Sequence, residues 1–231
     1  METKRTPQEK FVTLYDTAKK CLLILEHLYR KIEEGSRAAE DGTRVEQDSC
    51  IVIELYISVL SFVDYLHRFH EIVSAMPLLR KDIPELKRLC QIFASVDNVR
   101  NYLQHMRGDL MANEPLTFPI LGGIAWVRGT KHYMLLANQP MRTFEVPGIA
   151  FDRFEGRYVC RYQLSIGSHE YQLDTVYEEA KSFWKWLDAV SVIKPMQIKE
   201  FTWGKPWIVH SEFVMRSNHL LEPGEGRGSS V

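Results

Sequence analysis

The sequence predicts a mainly α (α+β) protein: a bundle of four long helices with a small antiparallel β insertion before the last of them. Three observations predict it. Apolar residues recur at intervals of three and four over three stretches of the first half. The pattern then gives way to short runs rich in Val, Ile, Tyr and Phe between glycine-containing turns, and a three-four pattern returns near residue 175. With 231 residues, 45% hydrophobic and 26% charged, the chain can bury one sizeable core and has globular composition.

The first helix starts at Thr6-Pro7-Gln8-Glu9, where a capping Thr precedes a first-turn Pro and Glu9 completes a capping box. Phe11, Leu14, Tyr15, Ala18, Leu22, Leu25, Tyr29 and Ile32 then keep one face apolar, and Gly35 is expected to end the helix. Residues 35–47 read as a polar connection. The second helix, 48–76, is apolar nearly all round except for a stripe of Glu54, Ser58, Ser61 and Arg68. Such a helix must be covered on most sides, as the centre of the bundle or in a subunit interface. Charges at Glu54, Asp64, Arg68 and Glu71 break its apolar run, which reads as a buried helix rather than a membrane span.

Asp82-Ile83-Pro84-Glu85 reads as the cap of a third helix, with a seam of Leu89, Ile92, Val96, Val99, Leu103, Met106 and Leu110 and a break near Gly108. Ile120–Val127 and His132–Ala137 flank Arg128-Gly129-Thr130-Lys131 as one hairpin. Arg157–Ile166 and His169–Leu173 flank Gly167-Ser168 as another, after a strand near Ile149–Phe154. Thr175-Val176-Tyr177-Glu178 is expected to cap the last helix, which stops before Pro195. The expected organisation is a bundle of three helices over 1–111, a β-rich insertion over 112–172 and a fourth helix over 173–195. A C-terminal arm with Trp203, Pro206 and Trp207 and a mobile tail occupy 196–231.

A formal charge of −1 offers nothing to a bulk DNA surface. Residues 1–79 carry 10 Lys and Arg against 13 Asp and Glu, whereas 80–172 carry 12 against 9, so the middle is mildly basic and can tolerate phosphates. Cys21, Cys50, Cys90 and Cys160 are widely spaced, three of them within helical apolar patterns, which fits core thiols in a reducing compartment. No apolar run follows Met1-Glu2-Thr3-Lys4-Arg5, so the expected location is the cytoplasm.

The candidate site is Arg100, Asn101 and His105 in the third helix. Cleaving RNA without a metal requires a base for the 2′-hydroxyl, a cation for the phosphate and an acid for the leaving group. Imidazole titrates near working pH, and the guanidinium fork matches two phosphate oxygens. At about 100° per residue, Asp97, Asn101 and His105 form a polar stripe opposite the seam, with Arg100 and Arg107 at its edge. The simpler alternative is a solvated Arg and His on an outer helix face.

This arrangement, an Arg, a polar residue and a His after four intervening positions on the third long helix, resembles the HEPN family of helical domains. The likeness covers about the first 111 residues and the helix near 175–192. It implies a four- or five-helix bundle, a homodimer and metal-independent endoribonuclease activity, with Arg100, Asn101 and His105 as catalytic residues and no cofactor. It also implies RNA as substrate, a role as toxin or antiviral-defence effector, and an antitoxin or regulatory protein as partner. In the branch controlled by a nucleotidyltransferase antitoxin a Tyr lies two residues after the His; here that position is Arg107, so this control is not expected. The competing class is a non-catalytic helical dimerisation and adaptor module that binds a protein or RNA.

Asp64-x-x-His67, with His70 and Glu71 nearby, has the spacing of a carboxylate-bridged metal site. No second such pair appears, so a polar helix end is the preferred reading. Arg153, Arg157 and Arg161 among Phe151, Phe154, Tyr158 and Tyr162 could hold single-stranded RNA by stacking, although strands favour aromatics for core reasons too.

Overall fold

A computed structural model describes residues 5–41, 49–106, 111, 121–136, 148–167 and 169–191. All lie in the first of the two units into which the chain divides, Met1–Pro195 and Met196–Val231. The expected Trp-containing arm and tail, and the seam residue Leu110, fall outside the described residues.

Helix α1 (Pro7–Ala39) carries the predicted capping box: Thr6 Oγ1 accepts from the Glu9 N–H at 3.2 Å, and Glu9 Oε2 accepts from the Thr6 N–H at 2.7 Å. The helix does not stop at Gly35. Instead Gly35 lies against helix α2 (Cys50–Ser74), where an added Cβ would sit 3.4 Å from Leu55 Cβ and Cδ1. The glycine lies inside the contact between two helices and does not terminate α1.

Much of the apolar circumference of α2 is met from within the chain. Leu55, Val59, Phe62, Val63, Leu66, Phe69 and Val73 are fully buried, and α2 packs on α1, α3 (Pro84–His105) and α4 (Leu173–Val190). Its Tyr56 hydroxyl reaches further, donating to Gly122 O at 2.9 Å. Of the predicted polar stripe, Ser58 is buried and its hydroxyl bonds back to Glu54 O at 2.7 Å. By length and composition α2 could cross a membrane, but here it is the central helix of the bundle, with Ile53 and Ile57 left on its outer face.

Asp82 does not cap α3. It pairs with Arg80 at 2.6 Å, and the cap position is Ile83, followed by Pro84 at the first turn. Leu86, Leu89, Phe93, Val96 and Val99 are buried, so the seam runs through Phe93, with Ile92, Leu103 and Met106 only partly covered.

Among the described residues six strands follow: β1 (Gly123–Arg128), β2 (Lys131–Leu136), β3 (Phe151–Asp152), β4 (Arg157–Tyr158), β5 (Tyr162–Ile166) and β6 (His169–Gln172). The main sheet is antiparallel in the order β2-β1-β5-β6; β1 and β2 form the expected hairpin, but Arg128 and Lys131, expected in its turn, pair as strand residues and leave Gly129 and Thr130 as the turn. The single strand expected over 157–166 is two. Residues 157–158 pair with β3 in a separate ribbon, and the chain turns before β5 enters the sheet. Asp174 fixes that turn, its carboxylate accepting from the Arg161 N–H at 3.0 and 3.1 Å and from the Tyr162 N–H at 3.0 Å.

The cap expected at Thr175 is also displaced. Helix α4 starts at Leu173, directly after β6, and Thr175 instead donates to Gln172 Oε1 at 3.0 Å. Every residue of β5 is buried, and Tyr162, Leu164, Ile166 and Tyr171 join the helical side chains in one core. The described residues thus form four helices with a small antiparallel sheet inserted before the last, mainly α.

Candidate functional site

The geometry of α3 separates the three predicted residues. Arg100 and His105 are five positions apart, about 140° around a helix. Arg100 is half-buried, whereas Asn101 and His105 are exposed, His105 being the last residue of the helix. A single chain therefore presents Arg100 on one side of α3 and the Asn101–His105 pair on another.

Arg100 lines an open cleft of about 450 Å³ between α1, α2 and α3. Lys20 and Cys21 enter it from α1, and Asp64, His67, Arg68 and Glu71 from α2. Two of its cations are already matched: Lys20 pairs with Asp16 at 2.8 Å and Arg68 with Asp64 at 2.7 Å. The Asp64 hydrogen bond and charge hold the Arg68 guanidinium above its ordinary pKa. Arg100 differs. Its Nε is buried with no hydrogen-bond partner, and no carboxylate pairs with it among the described residues. Burial pushes the Cys21 thiol up, with Arg68 pulling the other way.

The sequence reading missed one pairing in this cleft. Asp97 is not simply part of an outer stripe with Asn101 and His105; it accepts or shares a proton with His67 Nδ1 at 2.8 Å across the α2–α3 contact. The His67 side chain keeps only 15% of its exposure. Asp64, read as the partner of His67, turns to Arg68 instead, and no group of three or more metal-ligating side chains forms among the described residues. His70, on the same helix, is packed against Phe93 with Nε2 3.4 Å from Cys90 Sγ. Burial holds its imidazole below the usual value, against the opposing pull of Asp97 and Glu71. The only sequence signal for His67–Asp97 was a polar residue on each of two apolar helices, and their facing depends on how α2 and α3 pack.

The arginine-aromatic segment divides. Tyr162 is core, and Arg161 is tied to Glu33 at 2.6 Å. Phe151 and Phe154 are exposed on the β3–β4 ribbon, where Phe151 meets Tyr158 edge to face at 5.1 Å between ring centres.

No protein-family model, no curated protein and no solved structure matches this chain.

Proposed function

We infer that this chain is a metal-independent endoribonuclease of HEPN type, with a composite site that joins two copies of the chain. The observation that carries the reading is Arg100: a half-buried cation without a carboxylate partner among the described residues, facing an open cleft. Burying a charge is costly unless something opposite in sign completes it, and a phosphate would. Asn101, the next residue, and His105, five positions on, are exposed and able to meet a substrate. The separation of about 140° within one chain is why the reading requires a second copy, whose α3 brings its His105 to the same phosphate.

In this reaction His105 takes the proton of a 2′-hydroxyl, whose oxygen attacks the adjacent phosphorus. The bond from phosphorus to the 5′-oxygen breaks, and that oxygen takes a proton from the protonated imidazole of the second copy's His105. A 2′,3′-cyclic phosphate and a 5′-hydroxyl result. Arg100 stabilises the charge that develops on the phosphate, and Asn101 orients it by hydrogen bonding. The biological setting that accords with this chemistry is a cytoplasmic toxin or antiviral-defence effector held by an antitoxin or regulatory protein.

The test is cleavage of single-stranded and structured RNAs in the presence of EDTA, with light scattering on the same samples. A dimer that cleaves is expected, and His105→Ala should lose about 10²–10⁴ in rate, the usual worth of a general acid or base. A monomer, or full activity in His105→Ala, overturns the composite site. A second reading, a non-catalytic adaptor, is favoured by the exposed Phe151 and Phe154, since solvent-facing aromatics suit a partner surface. Wild-type protein that cleaves no RNA would leave the adaptor reading in place.

A further inference from the structure

We propose that the α1–α2–α3 cleft of each single chain is a binding site for a phosphate ester, with His67 and Arg100 as its two ligands. The proposal shares Arg100 with the ribonuclease reading but rests on neither His105 nor a second copy.

The cleft offers two donors of different kinds. Arg100 brings a guanidinium that forms no ion pair among the described residues, with one of its nitrogens buried and unbonded. His67 brings an oriented ring. Its Nδ1 is bonded to Asp97 at 2.8 Å, which leaves Nε2 as the ring nitrogen not engaged in that bond, on a side chain that lines the cleft. An imidazole fixed by a carboxylate behind it is the arrangement that aims the opposite nitrogen at a ligand.

The remaining lining decides the sign and size of that ligand. Lys20 and Arg68 are neutralised by Asp16 and Asp64, and Glu71 is exposed. Anion binding therefore rests on Arg100 acting locally, against the solvent-screened Glu71 carboxylate of the same lining, and this selects one anionic group and not a polyanion. A volume of about 450 Å³ admits a nucleotide-sized molecule. The apolar flanks Ile24, Tyr65 and Ile72 give its organic part somewhere to pack.

The phosphate could belong to a free nucleotide or to an RNA strand, and competition separates the two. Uridine 3′-monophosphate is titrated into the full chain by calorimetry in chloride buffer, then again with a ten-nucleotide single-stranded RNA present. Wild type should bind the nucleotide. Arg100→Gln should weaken binding at least tenfold and His67→Gln several-fold, whereas Arg37→Gln, an exposed arginine in the last turn of α1, should leave it unchanged. Displacement by the RNA assigns the site to a strand, and its absence assigns it to small phosphates.

Undetectable binding to wild type, or equal binding by wild type and Arg100→Gln, overturns the proposal. A normal affinity in His67→Gln removes His67 from it. Far-ultraviolet circular dichroism of each variant separates lost binding from lost folding. Because binding is read without cleavage, a chain that binds but does not cleave RNA sinks the ribonuclease reading alone. One that cleaves while Arg100→Gln binds normally sinks this one.

Discussion

Asp174 offers a test of how the sheet is attached to the bundle. Its carboxylate is the acceptor for two backbone donors, the Arg161 N–H through both oxygens at 3.0 and 3.1 Å and the Tyr162 N–H at 3.0 Å. Tyr162 is buried, so the Asp174→Ala variant strands at least one donor away from water. A hydrogen bond to a charged group contributes about 1.5–3 kcal/mol, and a carboxylate in the first turn of a helix adds about 0.3–1 kcal/mol through the helix dipole. Water can replace part of this at the half-buried Arg161. The expected loss is about 2–4 kcal/mol, a fall in Tm of roughly 5–15 °C for a domain of this size. Urea denaturation should show a lower midpoint with an unchanged slope, because the surface exposed on unfolding is the same. Asp174→Asn should fall between, since one oxygen remains an acceptor. A loss below about 1 kcal/mol in the alanine variant would refute the claim that this carboxylate holds the turn between ribbon and sheet.

Two further outcomes follow from the packing. Gly35→Ala should be neutral or stabilising by up to about 1 kcal/mol, because its Cβ would meet Leu55 at ordinary contact distance while helix propensity improves; Gly35→Leu should destabilise by forcing α1 off α2, both read by thermal unfolding. His70 should make stability depend on pH. Its folded pKa is lowered, so on acidification the unfolded chain takes up this proton first, and stability falls as pH drops through about 6.5. Urea titrations from pH 7.5 to 5 should show a shallower decline in His70→Phe than in wild type, and equal slopes would refute the assignment.

The parts of the fold that were legible in the sequence are those set by neighbours along the chain. The box at Thr6 and Glu9 needs only residues three apart, and the turn at Gly129 only two strands of matching alternation. The errors arise where a distant segment decides. Gly35 looks like a stop in the sequence, yet α1 runs on past it to Ala39 where it packs beside Leu55 of another helix. The run from Arg157 to Ile166 has strand composition throughout, but Asp174 captures its middle amides and bends it. The site divides the same way. Helical periodicity was enough to put His105 outward and Arg100 at the edge of the seam. The His67–Asp97 bond joins residues 30 apart and depends on the rotation of two packed helices, which no local pattern encodes.

The direct passage from β6 into α4 has a consequence for how the protein is made. The last helix closes the bundle over α1, and the bond from the Tyr15 hydroxyl to Asp188 spans 173 residues. No earlier segment can stand in for it. At a synthesis rate of about 5–20 residues per second, the roughly 85 residues between the end of α3 and the end of α4 take about 4–17 seconds to emerge. Until the end of that interval the surfaces of α1, α2 and α3 that α4 covers lack their native partner. The nascent chain thus carries its most adhesive surface before its last cover, and the native state waits on the final helix.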